Sequence, residues 1–519
     1  MKLNGKRTVF VGFAFFLICA FWQAYDTIIP KILTDKFGMN QAYSGIIMAL
    51  DNVLALFMLP LFGAVSDRCR SRMGRRTPFI LFGTLAAAVL LVVLSFTDGL
   101  QMKNIADVSA IDDPAALGVL YDAEKDERLL TPENESFILS ETFTREEFCD
   151  IRSQKTDGEQ GKTVTNAQYT DYVVPARQHY AQQATAKNPR ALILFIAVLL
   201  LLLIAMSVFR SPAVALMPDV TIKPLRSKAN AVINLMGTAG GILILVLGIV
   251  FATGSVRNSL MNYTPFFCVV AGIMLVSLVV FRLKVDEPRF VRETEEEYRK
   301  YGLEEKNEEE EHGSRRLSPA ERRSLLLILA SVVFWFMGYN AVTSKYSVYA
   351  GKVLALDYNT TLMIANAAAI VSYIPVGVLA SRIGRKKTIL AGIAMLAASF
   401  LAASFLREGS PAMLMNAMFA LAGIGWATIN VNSFPMVVEL CKGGDVGRYT
   451  GFYYTASMAA QTVTPYFSGL LMDRVGMTSL FPYATVFVCL ASVTMLLVRH
   501  GDSKPLPAKS KLEQFGAAD

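Results

Sequence analysis

The chain of 519 residues is poor in charged residues and in histidine. Only 18% of its residues are charged and 53% are hydrophobic, whereas a soluble domain has about 25% charged residues. The three histidines, His179, His312 and His500, are all expected in loops or at a membrane edge. The sequence therefore provides no histidine proton relay within a membrane and no histidine-ligated metal site.

Other absences exclude further classes of function. The six cysteines form no disulfide framework, because only Cys149 is expected on the outer side of a membrane. No G-x-x-x-x-G-K-[ST] loop is present, so the sequence gives no basis for ATP-driven transport. No nucleophile, base or metal cluster stands out, and we expect neither an enzyme nor a cofactor. Anchoring at a membrane surface explains the formal net charge of +7 without a nucleic-acid partner.

Long apolar runs are the dominant feature of the sequence. A helix needs about 20 apolar residues to cross a bilayer, and the runs lack the alternation that a membrane β-strand shows. We therefore predict an all-α polytopic membrane protein with 12 transmembrane helices in two pseudo-symmetric six-helix halves. The predicted spans are 8–30, 43–65, 77–97, 189–210, 229–252, 263–283, 322–344, 358–380, 388–406, 411–433, 449–472 and 480–499.

The distribution of lysine and arginine predicts the orientation of these spans. Positive charge is concentrated in the loops after spans two, four and eight and is scattered elsewhere. Because such clusters stay on the cytoplasmic side, we expect both termini in the cytoplasm and the chain in the plasma membrane. The first span is not expected to be a signal peptide, because Gln23 and Asp26 interrupt it and no small-residue cleavage site follows.

The predicted organisation has five parts. An N-terminal half over residues 1–283 is joined by a cytoplasmic linker over 284–321 to a C-terminal half over 322–499, and a cytoplasmic tail follows over 500–519. The N-terminal half carries an extracellular insertion over 98–188, with seventeen acidic residues against nine basic ones. We expect this insertion to be a partly ordered surface segment, with a small lid over the entrance as the alternative.

The linker contains two charged stretches, Glu293–Arg299 and Glu304–Glu311, with helical character and few apolar residues. Such a composition predicts a solvated connection with a surface helix. A regulatory role is the alternative interpretation.

A basic loop occurs once in each half. The first copy is G-A-V-S-D-R-C-R-S-R-M-G-R-R over residues 63–76, and the second is G-V-L-A-S-R-I-G-R-K-K over 377–387. Asp67 is predicted to meet arginines and the N-terminus of a neighbouring helix, which would close an inner gate. Ser381 replaces this acid in the second copy, so that copy is expected to lack its charge partner. The predicted gating residues are Gly63, Asp67, Arg68, Arg72, Gly74, Arg75, Arg76, Arg210, Asp219, Glu439 and Arg448.

Two acidic residues lie within predicted spans, Asp26 in the first and Asp51 in the second. A charge at the centre of a membrane helix costs roughly 2.5–3.5 kcal/mol, so its retention indicates a function. A carboxylate in an apolar cavity takes up a proton more readily than one in water. We therefore predict cation coupling at these two residues. For Asp26 the alternative is a capping or hydrated residue at the outer boundary.

Polar and aromatic side chains interrupt the apolar helices. Sugars need amide or carboxylate partners for their hydroxyl groups and an aromatic face for their C–H surface. The alternative for any single residue is a hydrogen bond or packing contact between helices. The predicted substrate-binding residues are Trp22, Gln23, Tyr25, Asn52, Trp335, Asn340, Asn366, Tyr373, Asn430 and Gln461, within a wider set that adds Tyr339, Trp426, Asn432, Tyr453 and Tyr454.

The repeated basic loops resemble the loop between helices two and three of major facilitator superfamily transporters. The longer form S-D-R-C-R-S-R-M-G-R-R-T-P-F over 66–79 resembles the glycoside–pentoside–hexuronide:cation symporter group, and within it the sucrose-transporter-like branch. The segment R-S-P-A-V-A-L-M-P-D over 210–219 resembles the corner after helix four of that group. The resemblance implies the major facilitator fold and uptake of a sugar or glycoside with a coupling cation.

One departure from the group concerns the cation. Sodium-using members carry W-D-x-x-x-D-P in helix two, whereas the segment from Asp51 to Pro60 here lacks the second acid. Protons are therefore the favoured coupling ion. Two rival interpretations are a proton-driven exporter of amphipathic compounds and a non-transporting nutrient sensor that signals through the linker.

Overall fold

Long helices make up most of the computed structural model, which describes residues 3–131, 135–156, 163–301, 317–349, 353–354, 358–407, 410–441 and 445–502. Eleven spans in this described part are long and apolar enough to cross a membrane. The helix Val446–Val475 also has the length of a membrane span, and it corresponds to the predicted span 449–472. It is not one of the eleven spans that are apolar enough by composition.

The described residues contain eighteen α-helices. The first eight are α1 (Gly5–Lys31), α2 (Gln41–Met48), α3 (Leu50–Asp67), α4 (Thr77–Asn104), α5 (Pro114–Glu124), α6 (Leu139–Thr142), α7 (Arg145–Asp150) and α8 (Val174–Lys187). The others are α9 (Arg190–Asp219), α10 (Arg226–Val250), α11 (Thr264–Lys284), α12 (Glu287–Lys300), α13 (Pro319–Tyr349), α14 (Tyr358–Ile383), α15 (Arg385–Ala403), α16 (Ala412–Glu439), α17 (Val446–Val475) and α18 (Leu480–Leu497).

Local sequence explains several helix boundaries. The side chain of Asn4 accepts a hydrogen bond from the backbone N–H of Arg7 at 3.1 Å and so caps α1. Proline occupies the first turn of α4 and α11, where its missing N–H costs nothing. The α1 helix contains Pro30 and continues as a π-helical turn over Ile32–Lys36. The second predicted span is divided at Ala49 into α2 and α3.

The two halves pack against each other through equivalent helices. In the N-terminal half α3 packs on α17, and α10 packs on α14 of the C-terminal half. A glycine permits each contact. A Cβ at Gly63 of α3 would lie 2.0 Å from the carbonyl oxygen of Gly447, and one at Gly377 of α14 would lie 2.8 Å from the Cβ of Ala231 on α10. The predicted two-fold relation of the halves is therefore visible in their interface.

The insertion is a compact unit, which we call the outer module (residues 105–188). It contains α5 to α8 and two antiparallel hairpins, β1 (Arg128–Leu130) with β2 (Ser136–Ile138) and β3 (Gln154–Thr156) with β4 (Thr163–Thr165). The predicted start of the insertion at residue 98 is corrected, because α4 continues to Asn104, and the described residues of the module have their own core. That core includes Ile105, Val108, Leu117, Leu120, Leu129, Leu139, Phe148, Tyr169, Val173 and Leu260.

Hydrogen bonds fasten the outer module to the N-terminal half. Gln101 near the end of α4 donates through Nε2 to Thr185 Oγ1 of α8 at 2.8 Å and to the carbonyl oxygen of Lys36 at 2.9 Å. Thr185 in turn donates to the carbonyl oxygen of Phe37 at 3.0 Å. Gly38 has φ +68°, and a Cβ there would lie 2.2 Å from the backbone of α8. The module is thus held tightly at the outer ends of α1 and α4.

The described part of the linker contains a helix, α12, at the first predicted charged stretch, and this helix is docked on the N-terminal half. The Arg7 guanidinium lies 3.4 Å from Glu297 and 3.6 Å from Glu293 of α12. The backbone N–H of Lys223 donates to the Tyr298 hydroxyl at 2.9 Å. The predicted stretch Glu304–Glu311 lies outside the described residues, as does the tail beyond residue 502.

Candidate functional site: a central cavity and the charged contacts of the basic loops

A cavity of 630 Å³ lies between the two halves. Its walls come from α1, α9 and α10 of the N-terminal half and from α13, α14, α16 and α17 of the C-terminal half. This volume is within the range of about 300–1,000 Å³ that is typical of small-molecule sites. Because seven helices of both halves contribute, a bound molecule would contact the two halves together.

Many of the predicted binding residues line this cavity. They are Trp22, Gln23, Asn366, Tyr373, Asn430 and Gln461, together with Tyr339, Trp426, Tyr453 and Tyr454 of the wider set. The predicted coupling residue Asp26 lines the cavity as well. Asn234, Thr238 and Ser457 also line it but were not predicted from the sequence. Small polar residues in an apolar helix are common packing residues, so their pattern alone gave no signal of a binding role.

Four predicted substrate-binding residues do not line the cavity: Tyr25, Asn52, Trp335 and Asn340. Trp335 is fully buried in the helix core, and Tyr25 is 2% exposed. The Tyr25 ring lies edge-on behind Trp22, with 5.3 Å between the ring centroids. These two aromatic side chains therefore support the cavity wall rather than form its surface.

Arg210, which was predicted at the gate, lies in the cavity instead. Its guanidinium carbon lies 5.0 Å from the ring centroid of Trp22 and 5.1 Å from that of Tyr454. Such cation–π contacts hold the flat guanidinium group between an aromatic ring of each half. Its Nε is buried and has no hydrogen-bond partner among the described residues. Arg210 therefore offers a fixed donor and a positive charge at the centre of the protein.

Three charged groups act on one another at this site. Asp26 lines the cavity, and Asp51 on α3 lies within electrostatic range of both Asp26 and Arg210. With both carboxylates ionised, the group carries a formal charge of −1, and uptake of one proton makes it neutral. Charges in such a low-dielectric environment interact far more strongly than in water.

The opposite wall of the cavity presents a stacked aromatic pair. The rings of Tyr339 and Trp426 are nearly parallel, with an interplanar angle of 3° and centroids 3.8 Å apart. Phe336 packs edge-on against Trp426 at 5.1 Å. This pair gives the cavity a rigid flat surface of the kind that accepts the C–H face of a ring.

Asp67 connects the two halves at the end of the bundle that carries the basic loops. Its carboxylate accepts hydrogen bonds from the backbone N–H of Gly447 at 2.9 Å and of Arg448 at 3.0 Å, in the first turn of α17. It also pairs with Arg76. An anion at a helix N-terminus is stabilised by unpaired N–H groups and by the helix dipole. The contact that the sequence suggested for Asp67 is present.

Arg76 is the central residue of the basic loop. Its guanidinium pairs with Asp67 and lies 2.8 Å from Asp219 of α9, while Arg75 lies 2.7 Å from the same carboxylate. Burial by itself would lower the pKa of Arg76, but the charges of Asp219 and Asp67 outweigh it and raise the pKa above its usual value. Arg76 therefore stays charged although it is buried. Arg68 and Arg72 are exposed at the surface.

The second basic loop also has a charge partner, which corrects the expectation based on Ser381. Arg385 lies 2.6 Å from Glu439 of α16 and donates to Ser227 Oγ of the opposite half at 3.0 Å. Ser381 instead donates to the carbonyl oxygen of Gly377 within its own helix. An acid from a different helix thus replaces the missing one.

In each half, an acidic residue just after the last membrane helix accepts hydrogen bonds from the backbone of the basic loop. Glu287, after α11, accepts hydrogen bonds from the backbone N–H groups of Arg75, Arg76 and Thr77 at 2.8–3.1 Å. In the second half Asp502, after α18, accepts from the N–H groups of Arg385 and Lys386 at 2.6 and 3.2 Å. Both acids cap a helix. These two acids could not be predicted from the sequence, because their partners are more than 100 residues away.

The two loops also share a turn that requires glycine. Gly74 has φ +102° and lies against the carboxylate of Glu287, and Gly384 has φ +95° and lies against Asp502. Side chains other than hydrogen are strained in this conformation. The repeated glycine therefore allows each acid to reach the start of the helix.

We expect Glu287→Ala to destabilise the N-terminal half by about 1–2 kcal/mol, because three N–H groups at the start of α4 lose their acceptor. Thermal unfolding of the purified protein would measure the effect as a lower Tm. Glu296→Ala is the matched control, since this residue is exposed on the same helix α12. Equal Tm values for the two variants would contradict the capping role.

Comparison with known proteins identifies both the fold and a group of relatives. A family profile described as Major Facilitator Superfamily matches residues 184–374 and 358–518, and one described as MFS/sugar transport protein matches residues 10–103. The putative glycoside/cation symporter YagG of Escherichia coli is 32% identical over 80 residues, which are 15% of this chain and 17% of the relative. The sucrose transport protein SUC4 of Arabidopsis thaliana is 37% identical over 59 residues, which are 11% and 12% of the two chains.

Solved structures share the fold at low sequence identity. A bacterial homologue of the iron transporter ferroportin in an outward-facing state has a TM-score of 0.60 at 14% identity and covers 95% of this chain and 99% of its own. The proton:xylose symporter XylE has a TM-score of 0.53 at 14% identity, with 95% and 96% covered. The curated relatives are matched over only 12–17% of their length, so they indicate a group and not an activity.

Proposed function

Because the chain belongs to the Major Facilitator Superfamily and is a multi-pass membrane protein, we propose that it is a secondary active transporter that takes up a sugar or glycoside together with protons. The observation that carries this proposal is the central cavity, in which carboxylate, guanidinium, amide and stacked aromatic groups from both halves converge. Members of this fold bind substrate near the bilayer midplane between their halves. We propose a plasma-membrane location with both termini in the cytoplasm, and no catalytic role.

The cytoplasmic contacts support transport by alternating access. Asp67 bonds to Gly447 and Arg448, and Asn230 donates to the carbonyl oxygen of Val431 at 2.7 Å, so the halves are held together below the cavity. We propose that this structure is the outward-facing state. Opening to the cytoplasm would then require these bonds to break, and the predicted gating residues would control that step.

The chemistry of the cavity wall supports a sugar ring as the substrate. The Tyr339–Trp426 pair offers a face for the C–H surface of the ring, and Gln23, Asn366 and Asn430 offer donors and acceptors for its hydroxyl groups. The names of the relatives, which include a glycoside/cation symporter and sucrose transport proteins, agree with this substrate class.

Asp26 and Asp51 are the proposed coupling groups. With Arg210 beside them, the site changes from a charge of −1 to neutral when one carboxylate is protonated. The change between the two conformations brings the site past a low-dielectric barrier, and this costs less free energy when the site is neutral than when it is charged. The absence of a second acid between Asp51 and Pro60 favours protons over sodium.

We expect a transient rise of external pH when the right sugar is added to de-energised cells that express the protein in lightly buffered medium. Asp51→Asn should abolish this rise and concentrative uptake, because the site can no longer change its charge, while downhill exchange of labelled sugar continues. Asp122→Asn, on the exposed face of the outer module, is the control and should behave like the wild type.

Other outcomes of this experiment would contradict the proposal. Unchanged concentrative uptake in Asp51→Asn would remove its coupling role. Uptake that requires sodium and causes no pH change would overturn the proton assignment. An absence of both flux and pH change across a panel of mono- and disaccharides, with labelled sugar still bound, would favour the sensor interpretation.

A further inference from the structure

A stripe of exposed apolar side chains runs along α4 towards the outer side of the membrane. The residues recur every three or four positions and are 38–63% exposed, which is the pattern of a helix face in contact with lipid. Lys103, one turn after Leu100, ends the stripe. The stripe consists of Phe82, Leu85, Val89, Val93, Phe96 and Leu100.

A groove of 610 Å³ lies at the outer end of this stripe, between α4 and the first turn of α11. Phe96, Leu100 and Leu260 form its apolar side, and Lys103 and Thr264 lie at its polar end. We call it the outer groove. An apolar trough that opens to the lipid and ends in a positive charge has the shape and polarity of a site for an amphiphile.

The polar end of the outer groove favours an anion. Among the described residues the Lys103 ammonium has no hydrogen bond or ion pair, and it is exposed. Thr264 starts α11, a helix of 21 residues, so the positive end of its dipole lies at the groove, while the Thr264 N–H itself donates to Asn262 Oδ1 at 2.9 Å. Phosphate groups are attracted to such a positive helix end beside a lysine.

The floor of the groove contains a buried carboxylate with one free acceptor. Asp98 is 1% exposed, and its Oδ2 accepts from Lys36 Nζ at 2.7 Å. The Lys36 ammonium has further partners besides Asp98: it donates to the carbonyl oxygen of Met261 at 2.7 Å and lies 4.6 Å above the Tyr263 ring. Asp98 Oδ1 has no partner among the described residues. A buried acceptor of this kind needs an N–H or O–H donor.

We propose that the outer groove binds a glycerophospholipid of the outer leaflet whose head group carries a hydrogen-bond donor. The phosphate lies between Lys103 and the start of α11, the ammonium of an ethanolamine head group donates to Asp98 Oδ1, and an acyl chain follows the stripe on α4. A choline head group has a positive charge but no N–H, so it cannot satisfy Asp98. The site is separate from the central cavity and does not depend on the transported substrate.

Two glycines provide a matched test of the groove. Gly99 lines it, and a Cβ there would meet no atom within 4 Å, so Gly99→Leu fills the groove without a clash. Gly272 on α11 has equally open surroundings and is not part of the groove lining. Both substitutions replace a helical glycine by leucine, so their effects on helix propensity are the same.

Native mass spectrometry of the delipidated full chain would measure the binding of phosphatidylethanolamine and phosphatidylcholine with identical acyl chains. We expect the wild type and Gly272→Leu to bind the ethanolamine lipid about ten-fold more tightly, the effect of one charge-assisted hydrogen bond. Gly99→Leu should lose this difference. Lys103→Gln should weaken binding of both lipids, while Lys125→Gln on the outer module should not.

Three results would overturn the proposal. The first is that the wild type binds the two lipids equally, and the second is that Gly99→Leu keeps the wild-type preference for the ethanolamine lipid. The third is that water-soluble glycerophosphoethanolamine displaces the bound lipid at the same concentration as the intact lipid does. The last result would assign the groove to a soluble phosphate compound, because the acyl chain would then contribute nothing to binding.

Discussion

Gly447→Ala is expected to shift the protein away from the cytoplasm-closed state and to abolish sugar accumulation. A Cβ at this position would lie 2.2 Å from the carbonyl oxygen of Gly63, which belongs to the backbone of the opposite half and cannot rotate away. Forcing an extra methyl group into a packed contact costs about 1–3 kcal/mol. The ratio of closed to open molecules would therefore fall by a factor of about 5–150.

Distances between spin labels on the cytoplasmic ends of α3 and α17 would measure this shift. The wild type should show mainly the short distance and Gly447→Ala mainly the long one, and Gly63→Ala should behave like Gly447→Ala. Gly272→Ala is the control, because it adds the same methyl group to a membrane helix in open space. A short distance that persists in Gly447→Ala would show that the glycine contact does not set the state of the gate.

Arg210→Gln is expected to eliminate both substrate binding and transport. The substitution removes two cation–π contacts, each worth about 0.5–2 kcal/mol, and it leaves Asp26 and Asp51 without the positive charge beside them. The substrate thereby loses a charged hydrogen-bond donor, and the aromatic side chains lose the group that holds them in place, so we expect binding to be lost. Arg210→Lys keeps the charge but not the flat group between Trp22 and Tyr454, so we expect partial binding.

Calorimetric titration with the sugar identified by the pH experiment, performed on the purified variants, would separate these effects. The order of affinity should be wild type, Arg210→Lys, Arg210→Gln. Arg257→Gln, in the loop after α10 and away from the cavity lining, is the control. Wild-type affinity in Arg210→Gln would show that the guanidinium does not face the substrate, and its proposed role would then be limited to charge balance.

The helices and the basic loops could be predicted from the sequence because their signals are local. An apolar run of membrane length determines a span by itself. Likewise, the G-x-x-x-D-R pattern with its glycines determines the turn after α3. The run over 449–472 was predicted as a span on the same ground, and α17 (Val446–Val475) is the helix found there.

The cavity was predicted only in part, because a membrane helix does not reveal which face turns inwards. On α13 the sequence indicated Trp335, Tyr339 and Asn340. Of these only Tyr339 lines the cavity, together with Phe336, which was not predicted, and Trp335 is buried. One side of such a helix contacts protein and the other contacts lipid, and both surroundings favour apolar side chains. The periodicity of apolar residues therefore could not show which side of a helix faces the cavity. The same reason explains why Asn234 was not predicted.

Contacts between distant parts of the chain were beyond prediction for a different reason. Arg385 pairs with Glu439 and not with a residue of its own loop, and Glu287 reaches a helix start 210 residues earlier. Such pairs depend on the packing of helices, which the sequence of one loop does not specify. The folded outer module belongs to this category, because its core joins short segments with Leu260 from the loop before α11.

The attachment of the outer module to α1 and α4 has a practical consequence. Since Gln101 and Thr185 tie it to the N-terminal half, the module must follow that half as a rigid extension throughout a transport cycle. An antibody fragment raised against its exposed face would add mass and asymmetry for single-particle imaging without clamping the two halves together. The same fragment, carrying a fluorophore, would report each movement of that half as a change of fluorescence.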